Sequence, residues 1–149
     1  MERISLDETY IEICRIVAKR STCLKRKVGA VLVAEGRLIS SGYNGAPRKI
    51  KNCCDSGVCI RENSNSGTNL QNCLAVHAEQ NAIANAAYYG IKTENSTLYC
   101  TTKPCSFCAK LLINAGIKEV IYEEEYADAF GESLLNQAGV KLKRFIKDE

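Results

Sequence analysis

His77 is the only histidine among 149 residues, and Glu79 follows it two positions later. Well downstream, Pro104 leads into Cys105 and Cys108. One imidazole and two thiolates make three ligands for zinc, which leaves the fourth position to water, the arrangement of a catalytic rather than a structural site. A metal so held lowers the pKa of its water toward about 7. Glu79 stays outside the coordination, two residues from a ligand, where it can carry protons between that water and a substrate.

These side chains need elements that converge. The spacing predicts a helix over 77–89 stopped by Gly90, with His77 in its first turn, and another over 105–115 stopped by Gly116, with Cys105 and Cys108 in its first turn. Positions three apart share a helix face, so the two sulfurs can grip one ion. A helix N-terminus also favours thiolate over thiol, and Pro104 suits a helix start because it lacks an N–H. Upstream, Ser5 to Glu8 has the form of a capping box, and Leu6, Tyr10, Ile13, Cys14 and Val17 recur at helical spacing, predicting a helix that ends near Ser21. The apolar run Val28 to Val33 reads as a strand covered on both faces, followed by a turn at Glu35-Gly36 and a strand over 37–43. Strands are expected at 97–101, 119–122 and 140–145, and a helix at 129–138. This order predicts one α/β domain over 1–149, three layers deep, with helices on both faces of a five-stranded mixed sheet. Periodicity vanishes from Gly45 to Gln71, so a cysteine-rich insert occupies about 45–75.

The composition is ordinary for a globular domain, 46% apolar and 25% charged. Twenty basic against 17 acidic residues give +3, too mild for a stable nucleic-acid partner. The Lys141 to Arg144 cluster reads as a solvated strand face. No stretch approaches the roughly 20 apolar residues that span a bilayer, and no export signal opens the chain, so a cytoplasmic protein is expected. Nine cysteines, an odd number, then point to reduced thiols and metal rather than disulfides.

The pattern His-x-Glu…Pro-Cys-x-x-Cys is a signature of zinc nucleobase deaminases. Residues 73–83, Cys-Leu-Ala-Val-His-Ala-Glu-Gln-Asn-Ala-Ile, and 98–117, from Leu98 through the Pro104 motif to Ile117, resemble the cytidine and deoxycytidylate deaminase superfamily. Residues 21–33 and 41–47 are similar to its deoxycytidylate (dCMP) deaminase branch, and the similarity covers nearly the whole chain. The resemblance implies a cytidine deaminase-like fold and hydrolysis of dCMP to dUMP and ammonia, supplying dUMP for thymidylate synthesis. It further implies a homo-oligomer, most often a hexamer, with dCTP (as its Mg2+ complex) and dTTP as effectors in some members. Asn44 matches the position that contacts the sugar, although Asn-Gly is also a common turn. Ala78, between His77 and Glu79, is counted with the substrate-binding positions. A nucleotide phosphate needs cations or backbone N–H groups at the pocket rim. Lys27, where tRNA-type relatives usually carry proline, is the leading phosphate contact, with Arg26 and Tyr126 behind it.

Of the other cysteines, Cys14 and Cys100 fall within a helix stripe and a strand and read as packing residues. The remaining five cluster around the insert, where four thiolates on a structural zinc would supply order that burial cannot. Some dCMP deaminases hold such a zinc at positions matched by Cys23 and Cys53. Cys59 and Cys73 would complete it here, and Cys54 competes with Cys53. Two other functions are open: a tRNA adenosine deaminase, which would need a basic groove around a flipped base, and a non-catalytic zinc module in DNA uptake, which would have no use for Glu79.

Overall fold

A computed structural model describes residues 1–147, so the last two residues of the expected domain lie outside it. Helix α1 (Leu6–Ala18) is followed by strands β1 (Gly29–Ala34) and β2 (Arg37–Tyr43). The insert holds a short helix α2 (Cys53–Ser56) and a 3-10 turn (Leu70–Asn72) where no regular structure was expected. Then come α3 (Ala78–Tyr88), β3 (Thr97–Thr102), α4 (Ser106–Asn114), β4 (Glu119–Glu124), α5 (Ala129–Gln137) and β5 (Lys141–Arg144). Ser5 caps α1 by accepting the Glu8 N–H at 3.1 Å, while the Glu8 carboxylate pairs with Lys147 instead of closing a capping box. The helix stops at Ala18, three residues early, because Ser21 turns its hydroxyl to the Asn44 carbonyl.

The sheet runs β2-β1-β3-β4-β5, with β1 antiparallel to both neighbours and β3, β4 and β5 parallel. Parallel neighbours require crossovers. Helices α4 and α5 supply them and, with α3, bury one face of the sheet through Ala82, Ala86, Leu112 and Leu135 against Leu32, Leu98 and Val120. Helix α1 covers the other face with Tyr10, Ile11 and Cys14 on Val31, Val33, Tyr99 and Ile121. Strand β1 is therefore buried on both sides, as its apolar run requires.

Helix α3 is docked by polar as much as apolar groups. Ala78, Ala82 and Ala86 form a small-residue stripe facing the sheet. The Asn81 amide donates to the Tyr43 carbonyl at 2.7 Å and the Asn85 amide to the Ser41 carbonyl at 2.8 Å. These carbonyls belong to edge strand β2, whose outer backbone groups have no ladder partner. The Ser40 hydroxyl returns a bond to the Ala82 carbonyl at 2.7 Å. The approach is so close that a Cβ on Gly42 would stand 2.4 Å from the Ala78 carbonyl oxygen and the Ala82 nitrogen. Gly42→Ala must therefore push α3 off the sheet. We expect a loss of about 1–3 kcal/mol, read as a lower denaturant midpoint, together with weaker zinc retention; an unchanged midpoint would contradict this packing.

Candidate active site

Both ligand groups sit one step outside their helices. His77 is the N-cap of α3 and Cys105 the N-cap of α4, each with extended backbone, so neither lies in the first turn as the spacing predicts. Only Cys108 does. The reason is local: the Gln80 side chain accepts the His77 N–H at 2.9 Å, holding residue 77 as a cap, while buried Pro104 precedes Cys105. Asp128, the N-cap of α5, accepts the Ser106 N–H at 2.7 Å with one oxygen and the Gly131 N–H at 2.9 Å with the other. It thereby ties the start of α4 to α5. Burial raises the Asp128 carboxyl, but the backbone donors outweigh it and hold it below the usual carboxylate range.

The ring nitrogen Nδ1 of His77 lies 3.3 Å from Cys108 Sγ and 3.5 Å from Cys105 Sγ, and all three donor atoms fall within 4.8 Å of one another. Among the described residues this is the one such group of three or more possible ligands. Zinc–nitrogen and zinc–sulfur bonds of about 2.0 and 2.3 Å at a tetrahedral angle put nitrogen and sulfur about 3.5 Å apart, so the donor set fits zinc. The two sulfurs share a proton across their contact. Hydrogen bonds from Cys108 and His77 overcome burial and pull Cys105 down to about 4, while the same contact with Cys105 pushes Cys108 strongly up. Contact with Cys105 also raises the His77 imidazole.

This cluster floors a cavity of about 330 Å³, within the usual range for small-molecule sites. Glu79 is only 5% exposed and opens into it beside Ala78. Asn44 is buried in the wall, where its Oδ1 accepts the Val28 N–H at 2.9 Å and its Nδ2 donates to the Arg26 carbonyl at 2.8 Å. An amide has two donors and two lone pairs, so the residue braces 26–28 and keeps one of each for a ligand. Arg26 lines the cavity with its guanidinium 5.4 Å from the centre of the Tyr126 ring, and Tyr126 lines it too. Lys27 does not. Its neighbours Arg26 and Val28 both face inward, and alternation along extended chain turns residue 27 out to solvent.

Three cations that sequence reasoning missed also reach the cavity. Lys25 lines it and donates to the Ser64 carbonyl at 2.9 Å. Arg61 is carried in by the insert, where its Nε donates to the Thr68 carbonyl at 2.8 Å. No periodicity marks Arg61, and only the cysteines flanking it hint that its loop folds back. Lys103 is nearly buried, but Glu132 at 2.6 Å and Glu125 at 3.3 Å neutralise it. Its place directly before Pro104 was the available signal.

Cys14 packs against the sheet as expected. Cys100 packs too, but its Sγ also lies 2.9 Å from Glu79 Oε1, a contact the strand assignment alone did not foresee. In the insert, Cys53 is buried and Cys54 exposed. Burial raises the Cys53 thiol, and the nearby charges of Cys59, Cys23, Cys73 and Cys54 raise it further. Cys23 and Cys73 also border the cavity.

Residues 4–124 match the family described as the cytidine and deoxycytidylate deaminase zinc-binding region. The chain is 45% identical over 150 residues to a deoxycytidylate deaminase of Schizosaccharomyces pombe, covering 99% of this chain and 46% of that protein. It is 40% identical to the deoxycytidylate deaminase of Saccharomyces cerevisiae, covering 96% of this chain and again 46% of the relative. The chain thus spans about half the length of these two relatives. In three dimensions it is similar to the crystal structure of dCMP deaminase from cyanophage S-TIM5 in complex with dCMP and dUMP, with a TM-score of 0.81, 30% identity, and coverage of 97% of this chain and 100% of that one. With a sulfur–imidazole cluster and a neighbouring glutamate at the head of α3 and α4 on this fold, the chain belongs to the cytidine and deoxycytidylate deaminase family.

Proposed function

We propose that this chain hydrolyses dCMP to dUMP and ammonia. The observation that carries the reading is the pairing of an imidazole–dithiolate cluster with a buried glutamate at the floor of a cavity whose rim holds Lys25, Arg26 and Arg61. The deoxycytidylate deaminases among its relatives, and a similar structure bound to dCMP and dUMP, support the same substrate.

Zinc held by His77, Cys105 and Cys108 would supply the Lewis acidity that makes water nucleophilic at neutral pH. Glu79 takes a proton from that water and passes it to N3 of the cytosine as the water oxygen bonds to C4. It carries the second proton to the exocyclic nitrogen, the C4–N bond breaks, ammonia leaves and a carbonyl remains. Asn44 holds the sugar with its spare donor and acceptor. Arg26, stacked on Tyr126, and Arg61 grip the phosphate. The neutralised Lys103 and the outward Lys27 leave that role to them.

A second zinc belongs to the same reading, held by Cys23, Cys53, Cys59 and Cys73, whose sulfurs do not converge among the described residues as the catalytic three do and would have to close around the ion; the burial of Cys53 against the exposure of Cys54 supports this set over one using Cys54. We extend the reading to a homo-oligomer, a hexamer on the family's pattern, because Phe107 and Phe130 stay exposed beside the metal-bearing end of α4. Effector control by dCTP and dTTP and a cytoplasmic location complete the proposal. Among the described residues no helix is long and apolar enough to cross a membrane.

A substrate panel tests the function. We expect turnover of dCMP to exceed that of cytidine, dCTP and deoxyadenosine. Arg61→Ala should raise KM for dCMP about tenfold or more, the loss of one charge-assisted hydrogen bond, and leave the nucleoside unaffected. Exclusive turnover of nucleosides would overturn the phosphate assignment.

A further inference from the structure

Cys100 lies at the middle of the sheet, on β3 between β1 and β4, and is fully buried. A cysteine there needs no explanation beyond packing until its neighbour is considered. Its thiol donates to Glu79 Oε1 at 2.9 Å, so a buried donor on the rigid central strand meets the one carboxylate that the chemistry depends on. Burial, and then the charge of Glu79, push the Cys100 thiol far above its ordinary range, so it keeps its proton and remains a donor. Cys108 also reaches Glu79, but as a metal ligand it is a thiolate without a proton to give. Cys100 is then the thiol donor that persists.

A terminal carboxylate torsion is broad and roughly two-fold, so a glutamate fixed only by its backbone samples orientations that face neither water nor base. We propose that Cys100 is a positioning residue, holding Oε1 of Glu79 so that Oε2 is presented to the reacting water and cytosine ring. This rests on the proton-carrying role of Glu79 in the reading above. Strand β3 passes from Cys100 to the ligand-bearing Pro104-Cys105 segment within five residues. One rigid element thus registers the carboxylate and a metal ligand together.

Cys100→Val fills the space without a donor, Cys100→Ala removes the donor without adding bulk, and Cys100→Ser restores one. With the zinc-loaded full chain and dCMP, we expect Val and Ala to lower kcat about ten- to a hundredfold, the loss of one hydrogen bond to a charged group. KM and bound zinc should stay at their wild-type values, and Ser should recover most of the rate. Adding Cys100→Val to Glu79→Ala should change nothing further, since its partner is already gone. Wild-type kcat in Cys100→Val, no recovery in Ser, or a rate loss that tracks lost zinc would each overturn the positioning role. If Glu79→Ala is inactive while Cys100→Val is fully active, that role alone falls. If Glu79→Ala itself turns over normally, the proton-carrying reading falls and the positioning role with it.

Discussion

Replacing Glu79 with alanine should leave the zinc in place and reduce turnover by about 10²–10⁴-fold, the usual contribution of a positioned general acid–base group. The separation is expected because Glu79 is not among the three converging donors, whose approach is fixed by the N-caps of α3 and α4. Removing its side chain leaves that cluster intact, but nothing remains to move a proton from water to N3. Metal analysis alongside steady-state kinetics checks both halves. A variant with substantial remaining activity, or one that has lost its zinc, would defeat the division of labour between Glu79 and His77.

Substituting His77 should do the reverse, with a larger effect. His77→Ala takes one of three ligands, and the chain has no other imidazole to replace it. Two sulfurs alone leave the ion exposed and weakly held. Without it, the water keeps an acidity roughly nine orders of magnitude lower than in a catalytic zinc site, so turnover should fall to background. Zinc counting gives this variant its sharper use. Wild type should carry two equivalents per chain and His77→Ala one, because the proposed second site is built from sulfur alone. Cys53→Ser should lose the other equivalent and keep the catalytic one. A single zinc in the wild-type protein would remove the second site.

The parts of this molecule that were legible in its sequence are those where chemistry restricts both residue type and spacing. Zinc accepts few ligands, so one histidine and a Cys-x-x-Cys pair after proline left little freedom, and the structure brings all three together. Periodicity carried the long helices, which bury one face, and a continuous apolar run carried β1, which is buried on both. What failed was of a different kind. The helix starts were misplaced by one residue because a capping residue and a first-turn residue differ in backbone angles, not in pattern. Lys27 stands out in the sequence because tRNA-type relatives usually carry proline there, and Arg61 does not stand out at all, since the direction of an extended side chain and the return of an irregular loop are settled by tertiary contacts. Cys100 looked like filler because strand alternation records which face a residue takes and not which atom it meets there.

The cavity is assembled from sources of different character, its walls including Arg26, Asn44 and Tyr126. Its floor comes from the starts of α3, held to the sheet by Gly42, Asn81 and Asn85, and α4, tied to α5 by Asp128. Arg61, Ser66, Gly67 and Cys73 come from the insert, which has little regular structure of its own. The metal ligands and part of the cavity rim, Arg61 among it, thereby come from separable stretches of polypeptide. An exchange of the insert between family members would reshape part of the cavity rim while the metal-bearing helix starts beneath kept their anchors, much as a tool keeps its drive and changes its bit.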